Sequence, residues 1–274
     1  MSKASHPPPT KFIDAVDIIF DATIPYDERF FESLDRMVQA EPWLPRDKAM
    51  IDQLRSIGIE KGKPFTPDKK TNKLLRSAAA EARAWLESQY ETVFAAPPFY
   101  QGTQWAVPVL PEVIDGMCTG FANTDQYPTD GRGLLYSFVF FCAKHLGAGQ
   151  FYVMTIKDRK GQDFDGSQTY RLTVPANAPV KQYWSATIYD RENHALIRNR
   201  PWSSRSSQTP GIQKNADGSV DIYFGPKAPA GRKSNWVPTR AGGRFEVLFR
   251  IYGPEKSFFQ KTWVLPDIEK TRAA

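Results

Sequence analysis

Cysteine and histidine are scarce in this chain, and their scarcity removes whole classes of chemistry. The two cysteines, Cys118 and Cys142, cannot build a disulfide framework, and their apolar surroundings read as sites for free, buried thiols. Three histidines, His6, His145 and His194, with two distant cysteines give no metal-ligand spacing, so neither a zinc site nor any cofactor is expected. Phosphate loops and dinucleotide-binding glycine patterns are missing as well. So is the G-x-S-x-G elbow of a serine hydrolase. His194 falls in the hairpin turn DRENH, which reads as exposed, and His145 ends an apolar segment, where it can face a helix dipole. No apolar run reaches the roughly eighteen residues of a membrane span, so no membrane insertion is expected. The N-terminus MSKASHPPPTK lacks the apolar stretch of a secretory signal. The expectation is a cytoplasmic protein as written, exported only if a leader has been removed.

What is present describes a globular protein. Apolar residues make up 41% and aromatics 13% of 274 residues, enough for one large core or two ordinary ones. The net charge of +6 is carried by the C-terminal third, where 15 Lys/Arg face 8 Asp/Glu over residues 190–274. Such a surplus can attract an anionic ligand or serve as a solvated basic face. Basic and aromatic residues mix in RNRPWSSR (198–205), but no nucleic-acid-binding motif accompanies them, so nucleic acid is not the expected partner.

The period of the pattern changes along the chain. After a proline-rich arm (1–26), Asp27 is placed to cap a helix whose Phe30, Leu34, Met37 and Val38 share one face. A second helix carries Met50, Leu54 and Ile57 and stops at Gly58. Thr66-Pro67-Asp68 starts a long amphipathic helix that runs to Pro97-Pro98. An aromatic, proline-rich loop (97–132) follows, then a buried helix over 134–147. From Phe151 onward the period becomes two, in FYVMTI, TYRLTV, YWSATIY, SVDIYF and RFEVLFRIY. In the last of these Phe245, Val247, Phe249 and Ile251 share one face, and Glu246, Leu248, Arg250 and Tyr252 the other. NADG (215–218) carries the Asp-Gly signal of a tight hairpin. These features predict an α+β fold: a helical N-terminal part packed on an antiparallel β-sandwich. The expected divisions are an arm (1–26), a helical part with its long loop (27–147) and a β-sandwich domain (148–274).

Five motifs in order, DFDGSQTYRLTVP, YWSATIYD, NADGSVDIYF, NWVP and RIYGP with TWVLP, resemble the C-terminal β-domain called domain of unknown function 1214. The preceding FFESLDRMV and DKAMIDQLRSIGIEKGKPF resemble the connector of longer relatives, which begin with a second β-domain, domain of unknown function 1254. The resemblance implies jelly-roll-like sandwich units and a shortened relative in this chain. Those relatives carry Gly-Thr-Asp-Tyr-x-x-Arg-Ala before the buried helix. Here Tyr127 to Gly133 stands in its place, keeping Asp130 and leaving the later Arg without a counterpart. The family implies no settled activity, and no catalytic role is carried over from it.

Candidate chemistry is therefore read from residue type and placement. Asp130 and Asp165 are the carboxylates that could perform acid–base work beside aromatics, or could cap a helix and close a turn. Trp105 and Trp202 lie in polar loops, where an indole can stack on a ligand, whereas Trp184, Trp236 and Trp263 lie in strand motifs and read as packing residues. The expected ligand contacts are Trp105, Tyr127, Asp130, Arg132, Arg200 and Trp202. They describe a loop-lined cleft for a small or carbohydrate-like anionic ligand. The competing readings are a metal-independent hydrolase or lyase using Asp130, and a structural sandwich that assembles through its sheet, with a homo-oligomer as one form of that assembly.

Overall fold

The computed structural model describes residues 10–271 apart from 15–16, 18–20, 22, 96, 124, 126–127 and 140–148. Tyr127, Cys142, His6 and His145 lie outside the described residues. Helices come first. The Asp27 carboxylate accepts the Arg29 N–H and starts α1 (Glu28–Ala40), the capping expected of an Asp before a helix. α2 (Lys48–Gln53) continues into a 3-10 turn that ends at Gly58, whose φ of 90° closes it in the left-handed region. The long helix α3 (Lys69–Ala95) begins at Asp68, which accepts the Thr71 N–H at 2.7 Å; the aspartate, rather than Thr66, makes this cap. The stretch expected to be an irregular loop contains α4 (Pro111–Thr119), which starts with Pro at its first position and stops at the left-handed Gly120. α5 (Thr129–Val139) follows. Cys118, at the end of α4, is exposed, which corrects its expected burial.

The remainder is a two-sheet sandwich, as the alternating segments imply. Its strands are β1 (Gln150–Thr155), β2 (Phe164–Asp165), β3 (Thr169–Val174), β4 (Val180–Asp190), β5 (Ser204–Ser206), β6 (Val220–Gly225), β7 (Trp236–Pro238), β8 (Arg244–Pro254) and β9 (Glu269–Thr271), with a short α6 (Lys256–Phe259) after β8. One sheet has the order β1-β8-β4-β5, with β2 also paired to β8; the other has the order β7-β6-β3-β9. All pairings are antiparallel except β6 with β7. NADG forms its turn, with the Asn215 N–H donating to the Ser219 carbonyl. It leads into β6 rather than joining two paired strands, because β5 and β6 belong to different sheets.

Between the sheets, Val153, Ala186, Ile188, Val247, Phe249 and Ile251 meet Leu172, Ile222 and Phe224 in one continuous core. Trp184 is buried there and stacks on Phe249 at 5.6 Å. A second apolar cluster lies on the opposite, outer face of the five-stranded sheet, where Met154 and Leu248 pack against Tyr90 of α3 and Leu134 of α5. The helices therefore cover one end of that outer face. Among the described residues no helix is long and apolar enough to cross a membrane.

Candidate site on the outer sheet face

Alternation along β8 sends Glu246, Leu248, Arg250 and Tyr252 to the outer face. Their partners are Tyr189, Thr187, Ser185 and Tyr183 on β4, and Leu248, Arg250 and Tyr252 also face Met154, Tyr152 and Gln150 on β1. The result is a strip of polar and aromatic side chains along the middle of the sheet. Its two ends differ in electrostatic character.

At the helix-covered end the Glu246 carboxylate is fully buried. It accepts the Tyr90 hydroxyl at 2.5 Å and lies 3.1 Å from Nδ1 of His194. The other ring nitrogen of His194 is 3.3 Å from Glu87, whose second oxygen accepts from Arg191 at 2.9 Å. Arg191 also donates to Glu91 at 2.8 Å and covers the Tyr90 ring at 4.3 Å. Burial works against protonation of His194, but its bonds and charge pairing with Glu246 and Glu87 outweigh that cost and raise its pKa. Burial likewise disfavours ionised Glu87, yet His194 and Arg191 bring it down to about 2. Burial and the neighbouring Glu246 push the Tyr90 phenol well up, so it stays a neutral donor. The backbone of His194 has a φ of 54°, unusual for a histidine and held by its N–H bond to the Asp190 carbonyl. The sequence marked His194 as an exposed turn residue. Instead the left-handed turn folds the ring under α3, where it is 2% exposed. Glu87, Tyr90, Arg191 and Glu246 carried no motif that could have revealed them. The one available signal was a glutamate alternating into a strand of apolar residues.

The other end is organised by Arg250. Its guanidinium donates through Nη2 to the Tyr189 hydroxyl and lies 5.4 Å from the Tyr152 ring centre. Tyr183 and Tyr252, directly paired across β4 and β8, stack with centroids 4.2 Å apart. Burial raises the pKa of both Tyr152 and Tyr189, and the hydrogen bond to Tyr252 raises that of Tyr183, so these phenols supply no counter-charge at neutral pH. Among the described residues no carboxylate lies within ion-pair distance of Arg250, and its Nε has no hydrogen-bond partner. Glu246, four residues along the same strand face and so about 13 Å away, is already committed to Tyr90 and His194.

A shallow depression lies beside Tyr90, between α3, α5 and the segment Pro108–Leu110, with a volume of about 10 Å³, room for no more than about one water molecule. Its lining is apolar, including Val93, Phe94, Leu134 and Leu135, so it offers neither space for a ligand nor charge to bind an anion.

The described residues among those expected from sequence to form one site are dispersed. Trp105 is completely buried, its indole N–H donating to the Pro266 carbonyl at 3.0 Å, so it packs the sandwich core and has no open face for a ligand. Asp130 is exposed in the first turn of α5. Arg132 lies 4.6 Å over the Phe121 ring, immediately after Gly131, which lines the depression. Asp165 accepts the Ser167 N–H at 2.8 Å and closes a turn, the structural alternative weighed for it. Arg200 is exposed, and Trp202 is half-buried, donating to the Trp236 carbonyl at 2.8 Å with Arg205 stacked 3.9 Å above its ring. Trp202 and Arg205 thus bridge β5 and β7, the adjoining edges of the two sheets.

Comparison with known proteins places the β-rich part. Residues 149–256 match the family model described as "Protein of unknown function (DUF1214)". No curated protein matches. Among solved structures, the VPA0106 protein from Vibrio parahaemolyticus is similar, with 20% identity and a TM-score of 0.44 over 97% of this chain and 59% of that one. An uncharacterized protein from Burkholderia cenocepacia is similar at 17% identity and a TM-score of 0.33, over 60% of this chain and 50% of that one. The chain therefore spans about three-fifths of the length of the first of these.

Proposed function

We propose, from the premise that residues 149–256 form a DUF1214 domain, that the protein binds a small anionic molecule on the outer face of its five-stranded sheet, around Arg250. One observation carries this reading. Other buried ionised groups on that side of the sheet are matched with opposite charge: Glu246 with His194, and Arg191 with Glu87 and Glu91. Arg250 is half-buried among neutral phenols with no such partner among the described residues. A partly desolvated guanidinium without a counter-ion is costly, and an anionic ligand relieves that cost with charge-assisted hydrogen bonds.

This reading keeps the small, anionic ligand expected from sequence and moves its seat from the loop to the sheet. A catalytic role for Asp130 finds less support, since it stands in an exposed first helical turn, where a carboxylate favourably faces the helix dipole. Thermal-shift measurements with small carboxylates and their uncharged amides test the proposal. The carboxylates are expected to raise the melting temperature of the wild-type protein, the amides to leave it unchanged, and Arg250→Gln to abolish the response. An equal response in Arg250→Gln, or none in the wild type, overturns the reading.

A further inference from the structure

We infer that the anion seated on Arg250 is the carboxylate of a ring-bearing molecule, with its ring packed on the Tyr183–Tyr252 pair. The inference rests on the anion-binding reading above and narrows it to a ligand class. Arg250 and Tyr252 are two residues apart on one strand and share its outer face, so their side chains emerge about 7 Å from one another along β8. Tyr183 stands directly across from Tyr252, and the two rings stack with planes 16° apart, making a double-width aromatic surface next to the cation. A ligand bound to the guanidinium and extending along the strand meets that surface after about 7 Å.

The rest of the neighbourhood complements a carboxylate. Tyr152 flanks the guanidinium from β1 with its ring 5.4 Å away. Ser185, directly opposite Arg250 on β4, is buried and shares its face of the sheet. The Arg250 guanidinium and the Ser185 hydroxyl are donors suited to the two oxygens of one carboxylate. Neutral tyrosines to either side disfavour a second charge on the ligand body, which points to a monoanion with an uncharged flat ring.

Three probes and three variants decide the matter by calorimetric titration. The probes are 4-phenylbutanoate, butanoate without the ring, and uncharged 4-phenylbutanamide. Wild type is expected to prefer phenylbutanoate to butanoate by about tenfold, as burial and packing of one ring provide, and to bind the amide weakest. Tyr252→Leu is expected to bring the two carboxylates within about threefold of each other, because the ring loses its aromatic partner. Arg250→Gln is expected to weaken both carboxylates by about tenfold or more, the loss of a charge-assisted contact. Arg250→Lys, which keeps the charge without the planar fork, is expected to weaken both by less.

The two levels of inference fail separately. If Arg250→Gln weakens both carboxylates but wild type shows no ring preference, or Tyr252→Leu keeps it, the ring-bearing class is wrong and the anion reading stands. If Arg250→Gln binds like wild type, or wild type binds no carboxylate, both readings fall. Should Arg250→Gln not fold, Arg250→Lys decides, and unchanged affinity for both carboxylates overturns the role of Arg250.

Discussion

Replacing Glu246 by Gln tests the buried network that fastens α3 to the sandwich. The carboxylate is fully buried and serves both the Tyr90 hydroxyl and the His194 ring. Removing one partner of a buried charge pair costs about 3–5 kcal/mol, because the other charge is left uncompensated. The amide of Gln keeps the shape and an acceptor for Tyr90, and its NH₂ group can donate to a neutral imidazole. The loss is therefore expected near the lower end, about 3 kcal/mol. In a protein of this size that lowers the melting temperature by about 6–12 °C. The difference also has a pH signature of definite sign. The pKa of His194 is raised in the folded state, so the stability it contributes is fully present below its ordinary value of about 6.5 and is lost as pH rises through the raised value. The gap between wild type and Glu246→Gln is thus expected to be widest below pH 6.5 and to narrow toward alkaline pH. Calorimetric melts of both proteins from pH 5 to 9 supply the comparison. A melting temperature within about 2 °C of wild type at every pH, well under the expected shift, would refute the reasoning.

Two further outcomes follow from the same structure. Glu87, 33% exposed and brought down to about 2, contributes stability above the ordinary glutamate value of 4.5 that is lost as pH falls toward 2. Glu87→Gln is expected to flatten that acid limb by on the order of 1–2 kcal/mol, after allowance for solvent screening; an unchanged acid-unfolding profile contradicts it. Gly166 donates to the Gly243 carbonyl, and a Cβ added there would run into the backbone carbonyl oxygen of Arg240. Gly166→Ala is expected to cost about 3 kcal/mol by urea unfolding, and a loss below about 0.5 kcal/mol shows that the turn yields freely.

The legibility of the chain in sequence followed the range of the interactions involved. Helix starts at Asp27, the stop at Gly58 and the strand alternation of 244–252 rest on contacts a few residues apart, and each stands in the structure. The same alternation placed Glu246, Arg250 and Tyr252 on one face, so part of the candidate site was already written as a pattern without being recognisable as a site. The aromatic loop misled because composition does not report burial. Trp105 sits among polar loop residues in sequence, and the chain nonetheless inserts its ring between the sheets. His194 misled for the converse reason. Its turn residues promise solvent, but α3 lies across them and supplies Glu87 and Tyr90 from more than a hundred positions away.

By itself the sequence determined the element order, the two-sheet sandwich after a helical part, and which side chains share each strand face, because period-two and period-3.6 patterns and caps are local physics. Only the tertiary structure decided which outer-face charge is neutralised and which is not. Glu246 and Arg250 are equivalent in strand pattern. α3 and the His194 turn come over one and satisfy it, whereas Arg250 is left among neutral tyrosines. Ion pairing depends on separations of a few ångströms between segments 50 to 160 residues apart, and no pattern along the chain encodes that distance.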